Sequence, residues 1–247
     1  MTVNFHPDRS AGGRPLLARL AEDGLYRSQF ETGTSNGGLT AHPGGDRWRW
    51  ESRIFGGAYD DGPPAARPRY GALNFRAAPA GAAPRFGSAH LRLTADVLER
   101  TTFCYPDSVT EPVHFGVAAR MSLIALAEAA AGEVDALDDY VEAHVHGPVR
   151  IDRDVEALVL DPCFRGTEVA DLAAALPCPL EWHRGFRLTT GELRRHPDYR
   201  GPGIVALGER LAVDGHLDAR IVGAAALTGE HHPQELKYLW HAIARFG

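Results

Sequence analysis

Apolar and polar side chains alternate without a break over residues 140–147, YVEAHVHG. Val141, Ala143 and Val145 fall on one parity; Tyr140, Glu142, His144 and His146 fall on the other. A strand has a side-chain period of two, so this segment buries three small apolar groups on one face and aligns a phenol, a carboxylate and two imidazoles on the other. Four hydrogen-bonding or titratable groups on one strand face suit the wall of a reaction cleft. The competing reading is an antiparallel strand with one solvated face.

The same pattern reading places other elements. Residues 2–5 read as a short strand ended by HPDR, and 15–23 (PLLARLAED) as a compact amphipathic helix with proline at its start and Gly24 after its end. Residues 26–32 alternate again before dissolving into GTSNGG. Residues 41–68, rich in Gly, Pro, Asp and Arg, read as a long and mostly irregular segment, the kind of loop that is usually functional. Short strands are predicted at 70–75 and 88–93, a helix at 117–131 stopped by Gly132, and a buried strand at 155–160 (VEALVL). Past Pro162 the texture is helical: 168–176, 204–213, 218–227 and 234–246, the last with Leu236, Leu239, Trp240 and Ile243 on a core-facing stripe. This order predicts an α+β core over 1–162 and a mainly helical part over 163–247.

Composition narrows the class. The chain has 247 residues, 44% hydrophobic and 23% charged, with a net charge of −6, which argues against a dedicated nucleic-acid binder. No apolar run approaches the roughly 20 residues of a membrane span. The N-terminus lacks the apolar centre of a signal peptide. Cys104, Cys163 and Cys178 are odd in number and widely spaced, which points to neither a disulfide framework nor a thiolate zinc site. A bacterial cytoplasmic protein, or one delivered into a host cell without a signal peptide, is the expectation.

Three further stretches gather polar residues where the chain turns. NFHPDR (4–9) ends a strand in His6 and Arg9. FETGTSNGG (30–38) groups Gly33, Thr34, Ser35 and Asn36. RPRYGALNF (67–75) sets Tyr70 before Gly71, with Asn74 close behind. Glycine-rich backbone with hydroxyls makes an anion nest, arginine gives bidentate phosphate contact, and tyrosine offers a flat face for stacking. Together they read as a nucleotide cleft beside a carboxylate-bearing strand; singly, each is also an ordinary turn.

The set NFHPDR, YRSQFETGTSNGG, RPRYGALN, PRFGSAHLRL, ERTTF and DYVEAHVHGP resembles a bacterial family first known only as a domain of unknown function. The resemblance runs from about residue 3 to 162 and continues more loosely through WHRGF (182–186). The family's usual last motif is YIEAQVHG, so His144 stands where glutamine is usual. That family in turn looks like ADP-ribosyltransferases, in particular effectors that modify a threonine of ubiquitin. The resemblance implies a split pair of small sheets around an NAD cleft, with a helical C-terminal extension. It implies Glu142 as the catalytic residue and His6 and Arg9 as holders of the adenosine ribose and pyrophosphate. Either Thr34 and Ser35 or Tyr70 would fill the second motif, with Tyr70 stacking on nicotinamide. NAD is the implied substrate, no metal is needed, and a protein acceptor, ubiquitin among the candidates, is the implied partner. The chain has no clean STS triplet and no E-x-E or Q-x-E pair, which weighs against arginine as acceptor.

Two other classes stay open from the residues. His144 and His146 at i, i+2 could share a zinc ion with Glu142 or His114 as third ligand, giving a metal hydrolase. Alternatively, the helical part with Trp182, Phe186 and Tyr199 could make the chain a non-enzymatic binding module.

Overall fold

The strands of the main sheet are short, three to six residues each. The computed structural model describes residues 1–33 and 40–247. Eight strands form one mixed sheet: β1 (Thr2–Phe5), β2 (Arg69–Ala72), β3 (Ala89–Leu93), β4 (Thr101–Tyr105), β5 (His114–Val117), β6 (Glu142–Val145), β7 (Val155–Leu160) and the three-residue β8 (Leu180–Trp182). Their spatial order is β8-β7-β3-β1-β2-β6-β4-β5. Every neighbouring pair is antiparallel except β7 and β8. The sheet therefore takes its last strand from beyond residue 162. The helices of seven or more described residues are α1 (Leu16–Asp23), α2 (Asp46–Ile54), α3 (Leu123–Ala129), α4 (Glu168–Ala174), α5 (Ile204–Leu211), α6 (Ala219–Thr228) and α7 (Pro233–Phe246).

The expected pair of separate small sheets is replaced by one connected sheet that nearly divides. β1 pairs with β3 from Thr2↔Arg92 to Phe5↔Ala89, and β2 pairs with β6 from Arg69↔Val145 to Ala72↔Glu142. Between β1 and β2 the register holds only Thr2↔Ala72. Beyond that point the strands part, and each half builds its own core. In one, Phe5, Leu91 and Leu158 pack with Leu17 and Leu20 of α1. In the other, Phe103, Val141 and Ala143 pack on Leu123 and Ala127 of α3. Gly71 sits at the junction, where an added Cβ would lie 2.7 Å from the Thr2 carbonyl oxygen and 3.1 Å from Val3 Cγ2.

The C-terminal helices enclose a third core around the fully buried Trp240, Leu239 and Ile243, as the helical stripe predicted. Asp218 caps α6 by accepting from the Ile221 N–H at 2.9 Å, and Pro233 opens α7. This layer is fastened to the sheet. The Trp240 indole N–H donates to the Pro84 carbonyl at 2.9 Å, and the Asp8 carboxylate lies where a side chain at Gly223 of α6 would be. No described helix is long and apolar enough to cross a membrane.

Residues 41–68 are mostly irregular, as expected, but α2 lies within them with Arg47, Trp50 and Glu51 buried at i, i+3 and i+4. That buried face is charged and aromatic, so an apolar count misses it. The helix expected over 117–131 is the edge strand β5 followed by the shorter α3. The alternation at 26–32 is not a strand beyond Tyr26, since Ser28 and Glu31 form a reciprocal capping box that starts a single helical turn.

Gly71→Ala should lower stability by about 1–3 kcal/mol, the usual cost of forcing extra volume into a packed site. Gly191→Ala is the control: its Cβ would meet nothing nearer than Thr189 Oγ1 at 3.8 Å. Equal urea midpoints for the two variants would contradict the close approach of β1 to β2.

Candidate active site

Strand β6 separates its two sets of side chains as the alternation requires. Val141, Ala143 and Val145 are fully buried in the apolar cores, while Glu142 and His144 face the other way. That second face is not solvated. Helix α2 covers it, and the result is a closed polar layer between sheet and helix.

Glu142 is the centre of this layer. Its Oε2 accepts from the Ser108 hydroxyl at 3.0 Å and from the Ser108 backbone N–H at 3.3 Å, and its Oε1 pairs with His144 Nε2 at 3.1 Å. Burial alone would raise the Glu142 carboxyl. The hydrogen bond and charge of His144, the Arg47 guanidinium and the Ser108 N–H outweigh it and leave Glu142 below the usual carboxylate range. The site thus holds a buried carboxylate in its charged form.

An unbroken chain of hydrogen-bonding contacts runs behind it: Tyr59 hydroxyl to His146 Nδ1 (2.5 Å), His146 Nε2 to Thr102 Oγ1 (2.9 Å), Thr102 Oγ1 to His144 Nδ1 (3.2 Å), and His144 Nε2 to Glu142.

On α2, Arg47 NH1 donates to Ser108 Oγ at 3.2 Å, and its guanidinium lies 4.1 Å from the Tyr70 ring centroid. Glu51 accepts from the Tyr70 hydroxyl and from Arg67 NH1, both at 2.7 Å, with Glu51 and Arg67 almost completely excluded from solvent. Tyr140 lies on the same side, packed with Ala72 and Ala83 just ahead of β6, and its hydroxyl donates to Asp107 at 2.5 Å.

Two cavities meet at the parting of the sheet. The larger, about 440 Å³, is walled by His6 and Arg9 from the end of β1, by Arg85, and by α1 and α7. The smaller, about 60 Å³, holds Glu142, Tyr70, Arg47 and Asn4. Tyr26, Gln29 and Phe86 line both. Burial, and then the charge of Arg9, push the His6 imidazole down to about 3, so at neutral pH it offers one donor and one acceptor without charge.

The sequence-predicted residues separate accordingly. His6 and Arg9 share the large cavity; Tyr70 and Glu142 share the small one. Asn74 lies with neither: its amide closes a turn through the Ala78 N–H (2.9 Å) and carbonyl (3.0 Å). Gly33 is the left-handed cap of the turn at Gln29–Thr32. Thr34, Ser35 and Asn36 lie outside the described residues. For the zinc alternative, the described group with ligand atoms within 4.8 Å of one another is Cys104, Glu142 and His144. His146 and His114 are not in it; His146 is engaged by Tyr59 and Thr102. Burial, then Glu142 and Asp107, raise the Cys104 thiol, and His144 and Glu142 already satisfy each other. The group is therefore complete as a hydrogen-bonded cluster. Sequence reasoning missed Arg47, Glu51, Thr102 and Ser108. The only signal for the first two was the i, i+4 spacing of Arg47 and Glu51 around Trp50.

Comparison with known sequences adds a family. The sequence model described as "Protein of unknown function (DUF3626)" matches residues 1–133 and 119–246, and the chain belongs to this family. No curated protein matches it.

Arg67→Met strands Glu51 as a buried carboxylate and should cost about 3–5 kcal/mol, as breaking a buried pair usually does. Urea unfolding of this variant checks it. A loss under about 1 kcal/mol would show that the pair does not anchor α2 to the sheet.

Proposed function

We propose that this DUF3626 chain is an NAD-dependent mono-ADP-ribosyltransferase that transfers ADP-ribose to a protein side chain, with a threonine of ubiquitin as the acceptor its sequence resemblance favours. One observation carries the reading: a buried Glu142, held below the usual carboxylate range, lines a small cavity that shares Tyr26, Gln29 and Phe86 with the larger one, whose walls bear His6, Arg9 and further cations. The arrangement suits a long substrate with a dianionic diphosphate and one reactive sugar at its far end.

Cleavage of the nicotinamide–ribose bond leaves the electron pair on nicotinamide and builds positive charge on the sugar. A fixed carboxylate beside that ribose accepts a hydrogen bond from its hydroxyl and stabilises the cation, and the effect grows where water is excluded. The donors on Glu142 hold it in one orientation, so little reorganisation is needed as the charge develops. His6 and Arg9 take the adenosine ribose and pyrophosphate at the other end, which fixes the sugar relative to Glu142. The acceptor hydroxyl then bonds to the ribosyl carbon as its O–H bond breaks, and the proton passes to water.

The small cavity has room for a few waters only, and Arg47 covers the ring of Tyr70. On this reading Arg47 must leave Tyr70 before a nicotinamide ring can stack there, so α2 shifts when NAD enters.

Glu142→Gln keeps size while removing the charge and turning one of the two acceptor oxygens into a donor. Nicotinamide release should fall on the order of 10²-fold or more, the scale seen on removing one transition-state-stabilising group, in a chain that circular dichroism shows still folded. Release at the wild-type rate would remove Glu142 from the mechanism. Hydrogen exchange supplies a second test: NAD should alter protection over residues 46–54, and no change there would contradict the displacement of Arg47.

A further inference from the structure

The large cavity carries a charge imbalance that the sequence motifs do not account for. Its walls bring in five cations, Arg9, Arg19, Arg27, Arg85 and Lys237, against one carboxylate, Asp23. Three of the five are committed. Arg27 chelates Asp23 at 2.6 and 3.0 Å and also reaches Glu31; Arg19 donates to the Ala11 carbonyl at 3.0 Å; Arg85 reaches Asp138 at 2.6 Å. Arg9 and Lys237 have no carboxylate within 4.0 Å among the described residues. Lys237 is partly buried on α7, and burial, then the charges of Arg85 and Arg200, lower its ammonium. A half-desolvated ammonium among like charges is unfavourable unless an anion joins it.

α7 is held firmly in this position. Trp240, one turn beyond Lys237, is fully buried, donates to the Pro84 carbonyl, and meets the His6 ring edge-on at 5.2 Å between centroids. Pro84 begins the turn that carries Arg85. Lys237, Arg85, His6 and Arg9 thus come from three separated parts of the chain and are fixed on one cavity of about 440 Å³ by a single indole.

We infer that the C-terminal helix α7 is part of the nucleotide site, with Lys237 a phosphate ligand that shares the diphosphate of a nucleoside diphosphate with Arg9. The inference rests on the nucleotide reading of this cavity given above and adds to it a residue and an element. It assigns the helical C-terminal part to substrate binding, where the sequence suggested only a packed extension or a docking surface. The ammonium binds as a point charge and the guanidinium as a fork, so the two can hold different oxygens of one diphosphate.

The test is calorimetry of ADP and of adenosine with the full chain and with Lys237→Met, Lys237→Arg and Arg9→Ala, each checked for an unchanged melting profile. Methionine keeps the aliphatic stem and its packing while removing the charge. Lys237→Met should weaken ADP binding about tenfold or more, the scale of a lost hydrogen bond to a charged group. It should leave adenosine binding unchanged, and Lys237→Arg should recover most of the ADP affinity. If Lys237→Met binds ADP like the wild type while Arg9→Ala does not, Lys237 is no ligand and the nucleotide reading survives without it. If the wild-type chain binds neither ADP nor NAD, the nucleotide reading falls and this inference falls with it.

Discussion

One buried negative charge organises this protein. Taking a carboxylate out of water costs several kcal/mol even after relaxation, and Glu142 sits deep between sheet and helix. Its neighbours are the ones needed to offset that cost. Ser108 gives two donors, His144 gives a third, and Arg47 brings a full positive charge near enough to matter. The second layer follows the same logic. Thr102, His146 and Tyr59 continue the hydrogen-bonding chain behind His144, and Glu51 with Arg67 and Tyr70 anchors the helix that supplies Arg47.

The parting of the sheet gives that charge something to act on. Because β1 and β2 share only one residue pair, the ends of β1 and β6 face a common space without being bridged by hydrogen bonds. β1 delivers His6 and Arg9 to one side of this space, and β6 delivers Glu142 to the other. The C-terminal helices close its far wall. On the proposed reading, the cations of the large cavity would take the phosphates of the substrate and Glu142 would act on its sugar.

Much of this was legible in the sequence where the signal was periodic. The alternation around Glu142, the strands at Thr2–Phe5 and Val155–Leu160, and the helices α6 and α7 all follow from apolar spacing and caps. His6, Arg9, Tyr70 and Glu142 were found by residue type at turns, and the fold puts them in pairs on two touching cavities. What stayed hidden has a common cause. Arg47, Glu51 and Arg67 are buried because they satisfy one another, and sequence patterns score buried charge as exposed loop. Lys237 was hidden differently: it lies on the rim of an apolar stripe, where a lysine reads as solvent-facing until the cavity beside it is seen. Asn74 shows the opposite error, a polar residue near the right motif that serves only its own turn.

Incubating the chain with NAD and a ubiquitin-containing lysate, then mapping modified peptides by mass spectrometry, shows whether the buried Glu142 serves transfer of ADP-ribose to a protein. ADP-ribose is expected on a protein side chain, a threonine of ubiquitin first among them, with no modification by the Glu142→Gln chain. Folded wild-type protein that neither releases nicotinamide nor leaves any modified peptide would contradict that reading.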